Sequence, residues 1–323
     1  FLCHPTGVNL FIMKRFSAVF NFAGGMAVAF LLISPFAFKS IANKSNRPEP
    51  VTAEWRAPAI PQELSFAGEE VPLDRWDVRE RFDRELLINS YSTANILYLL
   101  KLSNRYFPII SERLKANGVP DDFKYLCIAE SNLQSGARSS VGAVGFWQFM
   151  GYTAPGFGLE TTNAVDERMD LAQSTDAAAK YLKQAYNKFG NWTAAAASFN
   201  CGQGGYNKQV TFQRTNHYYD LQLPEETNRY IFRILAFKHI LENAEALGYK
   251  MSDTEKYNEI PYRTITVTTT IPNLAEFAIQ NGTTYKILRL MNPWMRGKSL
   301  PVGKGKSYEL KLPAKASDER LAQ

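Results

Sequence analysis

Apolar residues change their spacing three times along the chain. Phe16–Phe38 is an uncharged run of 23 residues between Lys14-Arg15 and Lys39. From about Arg75 to Tyr249 the apolar positions recur every three or four residues, which predicts amphipathic helices. Ser92 can cap a helix through Ile96, Leu99 and Leu100, with Pro108 kinking it and Gly118 ending the segment after it. Pro120-Asp121-Asp122 opens the next helix, with Pro in its first turn and two acids at the positive end of its dipole. Ser174 or Thr175 starts an Ala-rich helix that stops at Gly190, and 192–200 is a short packed helix. Pro224-Glu225-Glu226 begins a long helix through Ile231, Leu235, Phe237 and Leu241 that fades at Gly248. Beyond Tyr249 the period falls to two. Arg263–Thr270 and Tyr308–Leu312 alternate as strands around two short helices, 273–281 and 284–291.

The expected organisation follows. Residues 1–43 are an export signal or membrane anchor, with 1–12 lying upstream of the first Met, Met13. Residues 44–74 hold Pro48, Pro50, Pro58, Pro61 and Pro72 and form an extended linker. Residues 75–250 are a helical domain, 251–262 a short linker, 263–313 a βααβ module and 314–323 a tail. The fold class is mainly α with a small two-stranded module at the end.

Charge and cysteine content narrow the functions. Thirty-seven Lys+Arg against 31 Asp+Glu leave a net charge of +6 with no long basic run, which gives no footprint for nucleic acid. Three cysteines and three histidines lack metal-ligand spacing, so neither a metal nor a cofactor is expected. A basic pair before an apolar run is an export pattern, and Ser40-Ile41-Ala42 supplies small residues for cleavage after Ala42. The same run is long enough to span a bilayer, so the chain reads as either exported or anchored in the cell-envelope membrane.

Chemistry concentrates in four segments. Phe123, Leu126, Cys127 and Glu130 share one helix face, which desolvates a carboxyl and raises its pKa, or pairs it. Ser139–Met150 interleaves Gly142 and Gly145 with Phe146, Trp147, Gln148 and Phe149. This suits either a sugar-binding loop or a packed one. Asn200 stands at a helix end before Gly202. Glu225 and Glu226 fit the start of a helix, and Asp166–Asp170 with Arg168 reads as an ion-pair network.

In combination these segments resemble the lytic murein transglycosylases with a lysozyme-like helical catalytic domain, nearest the membrane-bound type D group. Ala129-Glu130-Ser131-Asn132 is similar to the Glu-Ser motif of that family, and Gly145-Phe146-Trp147-Gln148 to its Gly-Leu-Met-Gln motif. Ser198-Phe199-Asn200 stands where the family has Ala-Tyr-Asn, with Phe199 replacing the Tyr. Leu223–Tyr230 matches Leu-Pro-x-Glu-Thr-x-x-Tyr. The end module resembles a glycan-binding LysM domain, without the usual Gly-Asp turn after its first strand.

The resemblance implies peptidoglycan glycan strands as substrate and Glu130 as the one catalytic residue, acid first and base second. It implies that Ser131, Ser139, Gly145, Phe146, Gln148, Phe149, Met150, Asn200 and Tyr230 contact the sugar or orient Glu130. The expected location is the periplasm or envelope of a bacterium. A lysozyme-type hydrolase and a non-catalytic murein-binding protein are the alternatives. In that oxidising compartment Cys127 and Cys201 are either bonded to each other or two small buried thiols.

Overall fold

The computed structural model describes residues 56–315. The expected export segment, the first twelve residues of the linker and most of the tail lie outside them. Among the described residues no helix is long and apolar enough to cross a membrane.

Six helices build the larger core: α1 (Trp76–Ser90), α2 (Thr93–Ala116), α3 (Phe123–Ser131), α4 (Leu171–Phe189), α5 (Trp192–Gln213) and α6 (Glu225–Glu242). Their apolar stripes meet in one continuous cluster that includes Phe82, Ile96, Leu99, Leu126, Leu182 and Ile231. Burying such side chains contributes about 1.5–3 kcal/mol each and outweighs local preference. Pro108 accordingly lies inside α2, which continues to Ala116 because Ile110 and Leu114 are fully buried beyond it.

Several boundaries differ from the pattern reading. α4 starts at Leu171 rather than Ser174, because the Asp170 carboxylate caps it by accepting from Gln173 N at 2.9 Å. Ser174 and Thr175 turn their hydroxyls back onto carbonyls of that first turn. The short helix expected at 192–200 continues as α5 to Gln213, broken at Gly202 (φ 76°, ψ 146°). Only a residue without Cβ adopts that conformation cheaply, and buried Tyr206 then anchors the second half. α6 ends at Glu242, where Asn243 Nδ2 donates to His239 O at 2.8 Å and stops the ladder before Gly248.

The Pro-rich segment is not a tether over its last ten residues. A hairpin of β1 (Ser65–Phe66) and β2 (Glu69–Glu70) packs onto the helices. Phe66 is fully buried edge-on to Phe123, with ring centroids 5.1 Å apart. Glu69 accepts from Thr193 N and Oγ1 at 2.9 and 2.7 Å, capping the start of α5. Periodicity cannot reveal this segment, since two-residue strands carry no pattern.

The C-terminal module is close to its pattern. β5 (Tyr262–Val267) pairs antiparallel with β6 (Tyr308–Pro313) in register Tyr262↔Pro313 to Val267↔Tyr308, around α7 (Leu274–Gln280) and α8 (Tyr285–Met291). Asn273 and Thr284 cap the two helices. A second, smaller core holds Val267, Leu274, Leu288, Met295 and Leu310. The module and the helices form one compact unit.

Candidate active site

Glu130 occupies the last turn of α3, on the face shared with Phe123, Leu126 and Cys127, all buried. α6 packs against α3 and α5. Two residues one turn apart on α6 reach the two motifs. The Tyr230 hydroxyl donates to Glu130 Oε1, and the Thr227 hydroxyl donates to Asn200 Oδ1 at 2.8 Å. Tyr230 and Thr227 are buried, whereas Glu130 and Asn200 keep part of their surface open.

The environment pushes the Glu130 pKa up to about 7. Desolvation is the main cause; the Tyr230 hydrogen bond and the positive charge of Arg233 pull the other way, and Glu226 adds a small upward push. Arg233 is itself held by Glu85 and Glu226, at 3.7 and 2.9 Å. Burial, reinforced by the Glu130 charge, raises Tyr230 well above the ordinary phenol range, so it remains a donor.

After Glu130 the chain turns through Asn132 and Leu133, both at positive φ, into the loop that carries β3 (Ala143–Val144) and β4 (Phe149–Met150). Ser131 is buried. Its hydroxyl donates to Phe146 O at 2.7 Å and Cys127 O at 3.2 Å, tying the end of α3 to the loop. Gln148, at φ 48°, donates to Gly145 O at 2.8 Å and Ala137 O at 3.1 Å, which makes it a staple within the loop. Ser139 is exposed, and its Oγ accepts from Ala143 N at 3.0 Å across the turn. Gly145 is buried with φ 87°, and a Cβ there would stand 1.8 Å from Arg168 O. Met150 is partly exposed opposite Ala143.

The loop's aromatic rings turn inward. Phe146 meets Tyr106 edge-on, Phe149 lies between Phe157 and Phe199, and Trp147 Nε1 donates to Thr175 Oγ1 at 3.0 Å. Phe199, the departure from the family's Tyr, packs edge-on to Trp147, Phe149 and Tyr181. An aromatic core contact suits a ring without a hydroxyl.

Both Cys127 and Cys201 are free thiols. Cys127 Sγ contacts Phe146 O at 3.4 Å and Cys201 Sγ contacts Ala197 O at 3.5 Å. Cys127 is buried and Cys201 is partly exposed. Among the described residues no group of three or more His, Cys, Asp or Glu is placed to hold a metal ion.

Residues 107–221 match the transglycosylase SLT domain, and residues 263–316 match the soluble lytic transglycosylase C-terminal LysM-like domain. The chain thus resembles the SLT family over 107–221, a part of its length. It is homologous to the membrane-bound lytic murein transglycosylase D of Escherichia coli (strain K12), 26% identical over 265 residues. That alignment covers 79% of this chain and 56% of the relative, so the chain spans little more than half the relative's length. The 70 kDa soluble lytic transglycosylase of Escherichia coli aligns structurally over 58% of this chain and 37% of its own, with 18% identity and a TM-score of 0.38. The lytic transglycosylase Slt of Pseudomonas aeruginosa, in an inactive mutant form, aligns over 47% and 26%, with 23% identity and a TM-score of 0.37.

The SLT match takes in Glu130, the 139–150 loop and Asn200, and stops short of Thr227 and Tyr230. The sequence marks Thr227 only as the fixed Thr of the 223–230 motif and gives it no role. Its signal was present, three residues before Tyr230 and so on the same helix face.

Proposed function

We propose that the chain is a peptidoglycan lytic transglycosylase acting in the bacterial cell envelope. It cleaves the β-1,4 bond between N-acetylmuramic acid and N-acetylglucosamine and leaves a 1,6-anhydromuramoyl end. The observation that carries this reading is the hydrogen bond from Tyr230, beyond the SLT match, to Glu130 within it. A carboxyl with a pKa near 7 is partly protonated at neutral pH and can give a proton and then take one back.

The steps balance without an outside reagent. Protonated Glu130 gives its proton to the glycosidic oxygen, the bond to the muramoyl C1 breaks, and the N-acetylglucosamine side leaves as the alcohol. The muramoyl C1 is left with oxocarbenium character, which the substrate's own N-acetyl oxygen stabilises. Glu130, now a carboxylate, removes the proton of the muramoyl 6-hydroxyl as that oxygen bonds to C1. The acid is thereby regenerated, and no second carboxylate or water is required, unlike ordinary glycoside hydrolysis.

Tyr230 holds Glu130 in place through both steps. The Asn200 amide offers its NH2 group to the sugar, because Thr227 occupies its oxygen. The exposed rim around Ser139 and Met150 lies along the glycan. The N-terminal apolar run exports or anchors the enzyme, and the LysM-like module contacts the same polymer.

Mass spectrometry of muropeptides released from purified sacculi tests this reading. Anhydro ends are expected. Products with reducing ends would make the protein a hydrolase, and no release at all would make it a binding protein.

A further inference from the structure

The segment after the loop joins the two cores. Residues 164–166 pair antiparallel with residues 294–296 of the module: Asp166 N donates to Trp294 O and Arg296 N donates to Ala164 O, each at 2.8 Å. Val165, 1% exposed, belongs to the module's hydrophobic core rather than to that of the helices. A second clasp closes the same seam, where Glu160 Oε2 accepts from Lys306 Nζ at 2.9 Å and Tyr308 Oη at 3.0 Å.

Asp166 is fully buried at this junction and takes Arg168 in a two-point fork, Nε to Oδ1 at 2.8 Å and Nη2 to Oδ2 at 2.9 Å. The remaining arm of the guanidinium, Nη1, donates to Phe149 O at 3.0 Å and Gly142 O at 3.4 Å. The carbonyl of Arg168 lies against Gly145. One residue thus backs the loop at both ends and at its middle. The front of the same loop holds Ser131, next to Glu130, through Phe146 O.

We infer that Arg168 is a positioning residue for the 142–150 loop, and that docking of the C-terminal module on Val165–Asp166 keeps it in place. The module is then a brace for the catalytic loop, whatever its own affinity for glycan. The physical reason is dielectric. Docking shields the Asp166–Arg168 fork from water, which strengthens it and fixes the direction of the third arm. An undocked module lets water onto the fork and frees the guanidinium to leave the loop carbonyls. That the braced loop serves turnover rests on the proposed function; the mechanical coupling does not.

The test is amide hydrogen exchange on the full chain, read together with turnover on sacculi. Val165→Asp puts a charge into the module's core and should undock it. Exchange at 294–296 should rise, and with it exchange at 142–150 by about tenfold or more, while α4 and α6 stay protected. Arg168→Lys keeps the charge and both cores but loses the fork. It should speed exchange at 142–150 to a similar degree while 294–296 stays protected, so it decides the matter if Val165→Asp does not fold. kcat should fall in both variants with the pH profile unmoved, which simple loss of folded protein would not reproduce in the exchange map. Unchanged exchange at 142–150 in Arg168→Lys, or in a folded but undocked Val165→Asp, overturns the inference. Absence of turnover in the unaltered protein would overturn the proposed function alone, because the exchange result stands without it.

Discussion

The Tyr230 hydroxyl donates to Glu130 Oε1 across 100 residues of sequence, joining α6 to the end of α3. The bond favours the ionised carboxyl, while burial favours the neutral one, and burial prevails. The outcome is an acid poised near neutrality and held in a fixed direction.

Replacing Glu130→Gln should reduce glycan cleavage by about a thousandfold or more, the scale of a lost general acid–base group. Zymography and muropeptide release measure it, and the circular dichroism of the variant should be unchanged.

The same substitution should alter how stability depends on pH. The Glu130 carboxyl titrates at 4.5 in the reference state and at about 7 when folded. Between those values the folded protein binds more protons than the unfolded one, so stability falls as pH rises through the window and levels off above it. The loss is up to about 3 kcal/mol, less what water reaching the carboxyl screens. Urea unfolding on either side of the window should show Glu130→Gln lacking this decline, and therefore gaining on the unaltered protein as the pH is raised.

Tyr230→Phe removes a hydrogen bond that lowers the Glu130 pKa. The alkaline limb of the pH–rate profile should move to higher pH, with kcat reduced by roughly tenfold through looser orientation. An unmoved limb would show that the phenol does not govern this carboxyl.

Gly145→Ala should be among the most damaging single-methyl additions to the chain. The new Cβ would meet backbone rather than a yielding side chain, at a φ of 87° that disfavours any Cβ. A loss of about 3 kcal/mol or more is expected from strain and displaced backbone together, read as a lowered thermal midpoint.

Protein unfolded without reductant should be alkylated at both Cys127 and Cys201, as two free thiols require. Burial holds the Cys127 thiol well above its ordinary pKa, with the Glu130 charge adding to the effect. In the folded protein it should therefore resist alkylation far longer than after unfolding.

The helices and the end module are legible as patterns because their apolar stripes span many residues and repeat. Their ends are less so: Asp170 captures the start of α4 ahead of Ser174, and Asn243 closes α6 before Gly248. The hairpin at 65–70 is invisible to periodicity, since two-residue strands show no alternation and Glu69 finds its partner, Thr193, in a distant turn. In the loop, the residue types mark the segment without revealing which way each side chain points. Gln148 and Ser131 carry hydrogen-bonding groups that suit a sugar equally well, yet they face loop carbonyls.

From its sequence alone this protein is a mainly helical chain ending in a βααβ module, with a lone carboxyl on the apolar face of a short helix. These features come from spacing, which the chain carries locally. That Tyr230 meets Glu130, that Thr227 orients Asn200 and that Arg168 grips the loop behind the acid were decided only by packing α6 and the module against the rest. Each of these contacts joins residues far apart in the chain, and it is their burial together that sets the protonation and the direction of the acid.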